Sequence, residues 1–373
     1  MPSAAAKPDA GGSLAVWALT PRAAEVARRI SRARPGVHLR LSQTASGGRL
    51  PDGARSFNRL ADALAGEFSA HDGHVFVMAS GIVVRLIAPL LDRKTRDPAV
   101  VVVDEDARHA ISLVSGHIGG ANALAVEMAR ILGARPVITT ATDVNALPAI
   151  DVMAVEQDLL IENPGAIRYV SMALLKGEKP ALYDPHGLLA QKLPQATRVD
   201  GPSEADIIAG LGGAAAAVFI DDRCVDLPPQ TLILRPRSLV VGMGCNRGTP
   251  SGEMRALLGQ VLADRRLAAG SIFCLASIDI KRDEPGLLEL ADELNVDIRF
   301  FSRAQLNAVS SVPTPSEMVR KHTGASSVCE AAALRAAKTS VLVVPKQKTA
   351  NVTVAIARID CISSASDPAA PTN

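Results

Sequence analysis

Aromatic side chains are scarce in this chain, which has 373 residues but only one Trp, two Tyr and seven Phe. A core with so few large rings must be packed from Ala, Val, Leu and Ile, a composition that is typical of α/β proteins. The chain also lacks an excess of charge of either sign, because 40 Lys and Arg residues nearly balance 38 Asp and Glu residues. No overall field therefore draws the chain to nucleic acid or to a membrane surface, and a charged ligand must be recognised locally.

Cysteine pairs and long apolar runs are missing as well. The five cysteines lie far apart and form no Cys-x-x-Cys motif, which argues against a zinc site or a disulfide framework. The longest apolar stretch, Val75 to Leu91, is interrupted by Ser80, Arg85 and Pro89, so it does not predict a membrane span. The apolar run near the N-terminus is too short for a signal peptide. We therefore expect a cytoplasmic protein.

The length of the chain predicts two or three domains, each able to bury its own core. Strand-like and helical segments alternate in the first part, which predicts a three-layer α/β/α domain with a mainly parallel sheet. A small α/β middle module and a second α/β domain are expected to follow. Val155 to Ile161 has helical spacing, and Arg235-Pro236-Arg237 is typical of a linker. The predicted boundaries are 14–145, 146–235 and 238–358, with disordered tails at 1–13 and 363–373.

The most distinctive stretch is Ser115 to Asn122, which joins a short apolar strand to an amphipathic helix and is called the histidine turn below. Its glycines let a ligand approach the backbone, and the helix N-terminus offers N–H groups and a positive dipole end, a combination that favours an anion. The dipole is expected to keep His117 neutral and available as a base or hydrogen-bond donor. An incidental histidine in a glycine-rich turn is the alternative. The candidate binding residues here are Ser115, Gly116, Gly119, Gly120 and Asn122.

Three further loops follow predicted strands of the same domain. One is a second anion-friendly corner, one is acidic, and one is a polar cluster. Because the carboxyl ends of parallel strands meet at one edge of a sheet, we expect these loops to line one cleft with His117. The acidic loop could supply a base or a metal ligand, although an acidic turn that caps a strand is commoner. The residues concerned are Ser80, Gly81 and Arg85; Asp104 and Glu105; and Thr140 and Asp143.

The last domain opens with the glycine run Gly242 to Gly248, which precedes a helix. Its Gly-x-Gly matches a dinucleotide fingerprint only weakly, since the third glycine is misplaced and no acidic ribose ligand follows, so a Rossmann oxidoreductase is disfavoured. Arg247 and the nearby helix N-terminus would lower the pKa of Cys245, although a small buried cysteine is the better interpretation. Lys346 follows a later strand, where it could hold a carboxylate or lie exposed in a hairpin loop.

Several of these segments together resemble the CbiG family, in order and over about residues 14–358. The C-terminal region alone also resembles CobE. Asn246 and Cys329 depart from the family pattern, at positions where a basic and a small residue are expected. The segments that carry the resemblance are 18–20, 79–85 with 88–91, 97–105, 115–122, 242–245, 276–279 and 344–348.

The resemblance implies a cobalt-precorrin-5A hydrolase of cobalamin synthesis, which opens a δ-lactone on the corrin precursor and releases acetaldehyde. The substrate would be a cobalt-carrying tetrapyrrole, with no separate cofactor. The chemistry suggests His117 as the base for lactone opening, glycine N–H groups as oxyanion donors, and Glu105 or Asp104 as the base for acetaldehyde release. Arg85, Arg247 and Lys346 would hold the carboxylate arms.

Two other classes of function remain as alternatives. One is a corrinoid carrier or chaperone similar to CobE, which would bind the macrocycle without reaction. The other is a nucleotide-binding enzyme, although the sequence lacks a P-loop lysine. A homodimer and contacts with other enzymes of the corrin pathway are further expectations.

Overall fold

The computed structural model describes residues 13–47, 50–93, 96–145, 147–201, 203–309, 313 and 327–359. The chain divides into two compact units, one ending at Val155 and the other beginning at Glu156. The described strands form three sheets with interspersed helices, so the predicted α/β class is confirmed. The three domain boundaries stay predictions, and the predicted tails lie outside the described residues apart from Ser13.

The first unit is built on a seven-stranded sheet. Its strands are β1 (Leu14–Ala18), β2 (Val37–Ser42), β3 (Arg55–Phe57), β4 (Gly73–Val77), β5 (Ala99–Val103), β6 (His109–Val114) and β7 (Arg135–Val137). Its helices are α1 (Pro21–Ala33), α2 (Gln43–Ser46), α3 (Leu60–Glu67), α4 (Ser80–Ile87), α5 (Ala121–Leu132), α6 (Ala141–Val144) and α7 (Ile150–Glu156). The strand order is β3-β2-β1-β4-β5-β6-β7.

Alternate residues of the central strands point into two apolar layers, as a sheet covered on both faces requires. On one face α1 and α5 pack against Val16, Val75 and Val101. On the other face α3 and α4 pack against Trp17 and Phe76. The predicted three-layer arrangement is therefore confirmed for this unit. Among the described residues, none of the helices has both the length and the apolar character that a membrane span needs.

The direction of β6 decides where the functional loops of this unit lie. β6 runs antiparallel to β5, so that Val103 faces Ala110 and Val100 faces Val114, and β7 runs parallel to β6. The loop after β6 therefore lies beside the start of β5, whereas the loops after β4 and β5 lie beside its end. We call the edge of the sheet at the start of β5 the histidine edge, and the edge at the end of β5 the acidic edge.

The second unit contains two five-stranded sheets. The first has β8 (Leu159–Ile161), β9 (Ala181–Tyr183), β10 (Thr197–Arg198), β11 (Ala217–Ile220) and β12 (Thr231–Pro236), with α8 (Ile167–Leu175) and α9 (Glu204–Gly212). The second has β13 (Leu239–Cys245), β14 (Ile272–Ile278), β15 (Asp297–Phe301), β16 (Leu342–Lys348) and β17 (Val352–Arg358). The helices beside the second sheet are α10 (Ser251–Asp264), α11 (Pro285–Leu294), α12 (Arg303–Asn307) and α13 (Cys329–Ala337). The strand orders are β10-β9-β11-β12-β8 and β15-β14-β13-β17-β16.

Two local predictions for the middle region are wrong. The predicted helix from Val155 to Ile161 is the end of α7 followed by β8. The predicted linker at Arg235 is part of β12, and the buried Arg235 guanidinium donates to Glu162 and to the carbonyl oxygens of Asp221 and Arg223. A buried guanidinium needs all of these acceptors, which explains why an arginine can lie inside a strand.

The first part of the glycine run, Gly242 to Cys245, lies in β13, and the remaining residues to Gly248 lie in the turn that follows. A Cβ on Gly242 would lie 1.8 Å from the carbonyl oxygen of Cys329, the first residue of α13, and one on Gly244 would lie 2.7 Å from Thr353 Oγ1. Glycine is required at Gly242 because α13 packs directly against the backbone of β13. Close packing accounts for this glycine without any bound nucleotide.

Candidate active site

The histidine turn has a tightly constrained backbone. Ser115 adopts a left-handed conformation with φ of 61°, which is uncommon for a residue with a Cβ, and Gly120 has φ of 84°. Ala121 donates its N–H to the Ser115 carbonyl oxygen at 3.0 Å, and Asn122 donates to the Gly116 carbonyl oxygen at 3.0 Å. These bonds close the turn onto the first residues of α5, so the position of His117 is fixed by the helix.

The His117 ring lies between two carboxylates. Its Nδ1 atom is 3.3 Å from Asp151 Oδ2, and its Nε2 atom is 3.0 Å from Asp143 Oδ2. The Asp151 side chain is 2% exposed, that of His117 13% and that of Asp143 39%. The three groups therefore run from the interior of the unit to its surface. Thr142 is buried, and its Oγ1 atom also lies 3.0 Å from His117 Nε2.

Asp143 is held in place by its neighbours at the histidine edge. Its Oδ2 atom accepts hydrogen bonds from Asn122 Nδ2 at 3.0 Å and from the Thr140 hydroxyl. Asn122 is itself fixed, because Ser112 Oγ donates to its Oδ1 at 2.7 Å. The structure thus brings together His117, Asn122, Thr140 and Asp143, as the sequence predicts.

The charges around the ring favour its protonated form. Hydrogen bonding to Asp151 raises the pKa of His117, and Asp143 raises it further, against a smaller opposing effect of burial. Burial alone would raise the pKa of Asp143, but its hydrogen bonds from Thr140 and His117 lower it. The expectation that the helix dipole keeps His117 neutral is therefore wrong, because two carboxylates within 3.3 Å outweigh one helix end.

The predicted single cleft is also wrong. Ser80, Gly81 and Arg85 follow β4, and Asp104 and Glu105 follow β5, so all of them lie at the acidic edge. The histidine turn lies at the opposite edge because β6 is antiparallel to β5. The five residues of β5 separate the two edges by roughly 13 Å at the usual rise of a strand. His117 and Glu105 therefore cannot act on the same carbon atom.

At the acidic edge the carboxylates have structural partners. Asp104 accepts hydrogen bonds from the backbone N–H groups of Asp106, Arg108 and His109, and these lower the pKa of Asp104 although its burial would raise it. This pattern caps the turn between β5 and β6, so the turn accounts for Asp104 without a catalytic role. Glu105 Oε1 accepts a hydrogen bond of 2.7 Å from Thr20 Oγ1. The catalytic roles of Asp104 and Glu105 stay predictions.

The second anion-friendly corner at this edge lies at the start of α4. Ser80 and Gly81 form the exposed first turn of the helix. The exposed Arg85 guanidinium donates to the Gly81 carbonyl oxygen at 2.9 Å. Binding of a carboxylate by Arg85 stays a prediction.

The predicted residues of the second unit gather at one edge of its last sheet. Cys245 ends β13, Arg247 follows it, and Lys346 lies in β16, which runs in the same direction as β13 because both are antiparallel to β17. Burial raises the pKa of the Cys245 thiol, which favours the buried-cysteine interpretation over a reactive thiolate.

The two predicted cationic residues, Arg247 and Lys346, have partners within the unit. Arg247 donates to Asp283 Oδ1 at 2.7 Å and to the Ile280 carbonyl oxygen at 2.9 Å. Lys346 lies within β16 rather than in a hairpin loop, and its backbone N–H donates to Glu330 Oε1. Substrate binding by Cys245, Arg247 and Lys346 stays a prediction.

The side chains of the described residues were compared with the arrangement that a metal ion needs. Within the described parts of the chain, no group of three or more His, Cys, Asp and Glu side chains has the arrangement of a metal site. The histidine turn does contain one buried polar atom without a hydrogen-bond partner, Ser115 Oγ.

Comparison with known sequences gives three matches along the chain. "Cobalamin synthesis G N-terminal" matches residues 62–143, "Cobalamin biosynthesis central region" matches 148–236, and "Cobalamin synthesis G C-terminus" matches 239–357. A protein of Priestia megaterium named cobalt-precorrin-5A hydrolase is 32% identical over 93% of this chain and 95% of its own length. The chain belongs to the cobalamin synthesis G family.

Other relatives of the chain include a cobalt-precorrin-5A hydrolase of Salmonella typhimurium strain LT2, which is 33% identical over 86% of this chain and 91% of its own length. Protein CobE of a Sinorhizobium species is 40% identical over 32% of this chain and 79% of its own length. A crystal structure of a putative cobalamin biosynthesis protein G homolog from Sulfolobus solfataricus covers 93% of this chain and 97% of its own, at 21% identity and a TM-score of 0.33.

Asp151 is a member of this site that the sequence did not predict. Asp151 stands among apolar residues at the start of α7, and an acidic residue on an otherwise buried helix face is a signal for a buried ionic partner. Thr142 belongs to the polar cluster after β7 that the sequence indicates, but its contact with the His117 ring was not predicted.

Proposed function

We propose that this chain opens the δ-lactone of cobalt-precorrin-5A by hydrolysis and releases a two-carbon fragment as acetaldehyde, giving cobalt-precorrin-5B. The overall change makes it a hydrolase that acts on a carbon–carbon bond. The names of its full-length relatives support this reaction. The observation that carries the proposal is the His117 ring held between Asp151 and Asp143 at a glycine-rich turn.

The chemistry of lactone opening fits this arrangement. Attack of water on the lactone carbonyl places negative charge on its oxygen, and the bond to the ring oxygen then breaks. A protonated His117 can donate a hydrogen bond or a proton to these oxygens. The N-terminus of α5 also favours binding of a carboxylate arm of the substrate.

Release of acetaldehyde resembles a retro-aldol step. A base takes the hydroxyl proton, the carbon–carbon bond breaks, and the cobalt-bearing macrocycle receives the electron pair. Glu105 lies at the other edge of the sheet from His117. If it serves as this base, the substrate must present the two reacting positions to different edges or move between them.

The test is anaerobic incubation of the protein with cobalt-precorrin-5A, with acetaldehyde measured through NADH consumption by alcohol dehydrogenase. We expect product from the native chain and a loss of about 10²–10⁴-fold in turnover for His117→Ala, the usual contribution of acid–base catalysis. Asp62→Asn is the matched control, because Asp62 is an exposed carboxylate on α3 of the same unit. Full turnover by folded His117→Ala would contradict the assignment.

A second candidate function is binding without reaction. It is favoured by the similarity of about a third of this chain to protein CobE, which is 40% identical over 121 residues. Tight binding of cobalt-precorrin-5A without acetaldehyde release by the native chain would support this carrier function and refute the hydrolase. A cytoplasmic location, a homodimer and the absence of a separate cofactor stay predictions.

A further inference from the structure

Asp143, His117 and Asp151 form a continuous chain of ionisable groups from the surface to the interior of the first unit. Both ring nitrogens of His117 are engaged, and each faces one carboxylate. The outer carboxylate, Asp143, is more than one third exposed, whereas the inner one, Asp151, is closed off from solvent. This difference in access assigns different tasks to two chemically identical side chains.

We propose that Asp143 and His117 form a proton relay, and that Asp151 is the positioning residue that orients the His117 ring. In this relay Asp143 accepts a proton from the attacking water, and His117 Nε2 gives its proton to the leaving alkoxide. The inference rests on the proposed lactone hydrolysis and deepens it by giving each proton a source and a destination.

The atoms and charges of the cycle balance. The water oxygen forms a bond to the lactone carbonyl carbon, and its proton passes to the Asp143 carboxylate. The bond from that carbon to the ring oxygen breaks, and the alkoxide takes the proton from His117 Nε2. The proton on Asp143 then returns to Nε2 over the 3.0 Å contact between them, which restores the starting state. The net change is addition of one water molecule to the lactone.

The resting state matches the first step of this cycle. The raised pKa of His117 and the lowered pKa of Asp143 both favour an imidazolium beside a carboxylate. These are the donor and the acceptor that the relay needs. The other polar groups around the ring, Thr140, Thr142 and Asn122, do not titrate in this range.

Asp151 fixes which nitrogen faces the substrate. With its Nδ1 side toward the buried Asp151, the ring presents only Nε2 to Asp143 and the surface. Without that carboxylate the ring could rotate, and the charged form would lose its strongest partner. Asp151 therefore acts through His117 and does not touch the substrate.

A covalent route through Thr142 is the competing arrangement, because its hydroxyl also lies 3.0 Å from Nε2. In that route the hydroxyl oxygen would attack the lactone and form an ester with the protein. Thr142 is only 5% exposed, whereas Asp143 is open to solvent and to an attacking water. The exposure of the two residues favours the water route.

The experiment compares native protein, Asp143→Asn and Asp151→Asn, with Asp62→Asn as the control. Turnover of cobalt-precorrin-5A is measured from pH 5.5 to 9.5, and the His117 pKa is measured by NMR without substrate. For Asp143→Asn we expect a fall in kcat of about 10²–10⁴-fold with a small change in KM. For Asp151→Asn we expect a lower His117 pKa and an alkaline limb of the kcat profile shifted to lower pH, because the protonated ring is required.

The outcomes separate the relay from the reaction. If the native protein releases no acetaldehyde, the proposed function fails, and an unchanged His117 pKa in both variants would then also overturn the coupling of the three groups. If the native protein is active and folded Asp143→Asn keeps its kcat and pH profile, the relay is wrong while the function stands. Inactive Thr142→Val together with a substrate adduct detected by mass spectrometry on native protein would also overturn the relay. The variant that decides the test is Asp143→Asn, which changes an exposed side chain and should fold. The relay can therefore be tested even if Asp151→Asn does not fold.

Discussion

Gly119 sets the shape of the histidine turn, and its replacement by alanine tests that shape directly. A Cβ at this position would lie 2.2 Å from Ser115 Cβ and 2.8 Å from the Ser115 carbonyl oxygen. Neither contact can persist, so Ser115 must move away. The same carbonyl accepts the hydrogen bond from Ala121, which closes the turn onto α5. We therefore expect Gly119→Ala to destabilise the first unit and to displace His117.

The size of the destabilisation by Gly119→Ala can be worked out from these contacts. Carbon atoms in van der Waals contact lie about 3.5–4.0 Å apart, so the turn must open by more than about 1 Å. An added methyl group in a packed region costs about 1–3 kcal/mol, and loss of a backbone hydrogen bond adds about 1 kcal/mol. The expected loss in the free energy of unfolding is thus about 2–4 kcal/mol.

Gly120→Ala is the matched control, one residue along the same turn. Its Cβ would have no atom within 4 Å, and only its φ of 84° opposes the substitution. That conformation costs an alanine about 1–2 kcal/mol.

Urea unfolding followed by tryptophan fluorescence measures both variants. Trp17 is the only tryptophan in the sequence and is fully buried in the first unit, so the signal reports on that unit. Equal unfolding midpoints for Gly119→Ala and Gly120→Ala would refute the argument that the Ser115 contact decides the cost. An unchanged His117 resonance in Gly119→Ala would show that the turn does not hold the ring.

Two other predictions concern charge. The raised pKa of His117 contributes stability that is fully present below about pH 6.5, its ordinary unfolded value, and is lost as pH rises through the higher folded value. The destabilisation caused by His117→Gln in urea unfolding should therefore be larger at pH 6 than at pH 9, and an equal effect at both would count against the ion pairs. Asp104→Ala removes three hydrogen bonds from backbone N–H groups, and we expect a loss of about 1–2 kcal/mol in the free energy of unfolding, reduced by the partial exposure of the carboxylate. A native midpoint for this variant in the same assay would contradict the capping role.

Much of the fold of the first unit could be predicted from local pattern. Thr20 and Pro21 mark the start of α1, and the Thr20 hydroxyl does accept the Ala23 N–H as an N-cap should. The apolar runs of β1, β4 and β5 are short and uninterrupted, as central strands are. These features depend on residues close together in sequence.

The position of the site could not be predicted in the same way, because an apolar run does not state the direction of its strand. The sequence did contain one relevant signal. Only residues 104–108 separate β5 from β6, whereas a parallel neighbour needs a crossover of a dozen residues or more. Treating β6 as another parallel strand placed His117 at the wrong edge. The direction of the pKa shift of His117 could not be predicted for a related reason. The shift depends on Asp151, which lies 34 positions away in the sequence and contacts the ring only in the folded chain.

The contact of Asp151 with the inner nitrogen of His117 determines where the chain can be divided into fragments. Sequence families place a boundary between residues 143 and 148, so a fragment chosen on that basis would keep His117 and Asp143 but omit Asp151. Such a fragment would leave the inner ring nitrogen facing an empty position and would lose the strongest influence on its protonation. An expression fragment intended to retain this chemistry must extend through Val155, where the first unit ends.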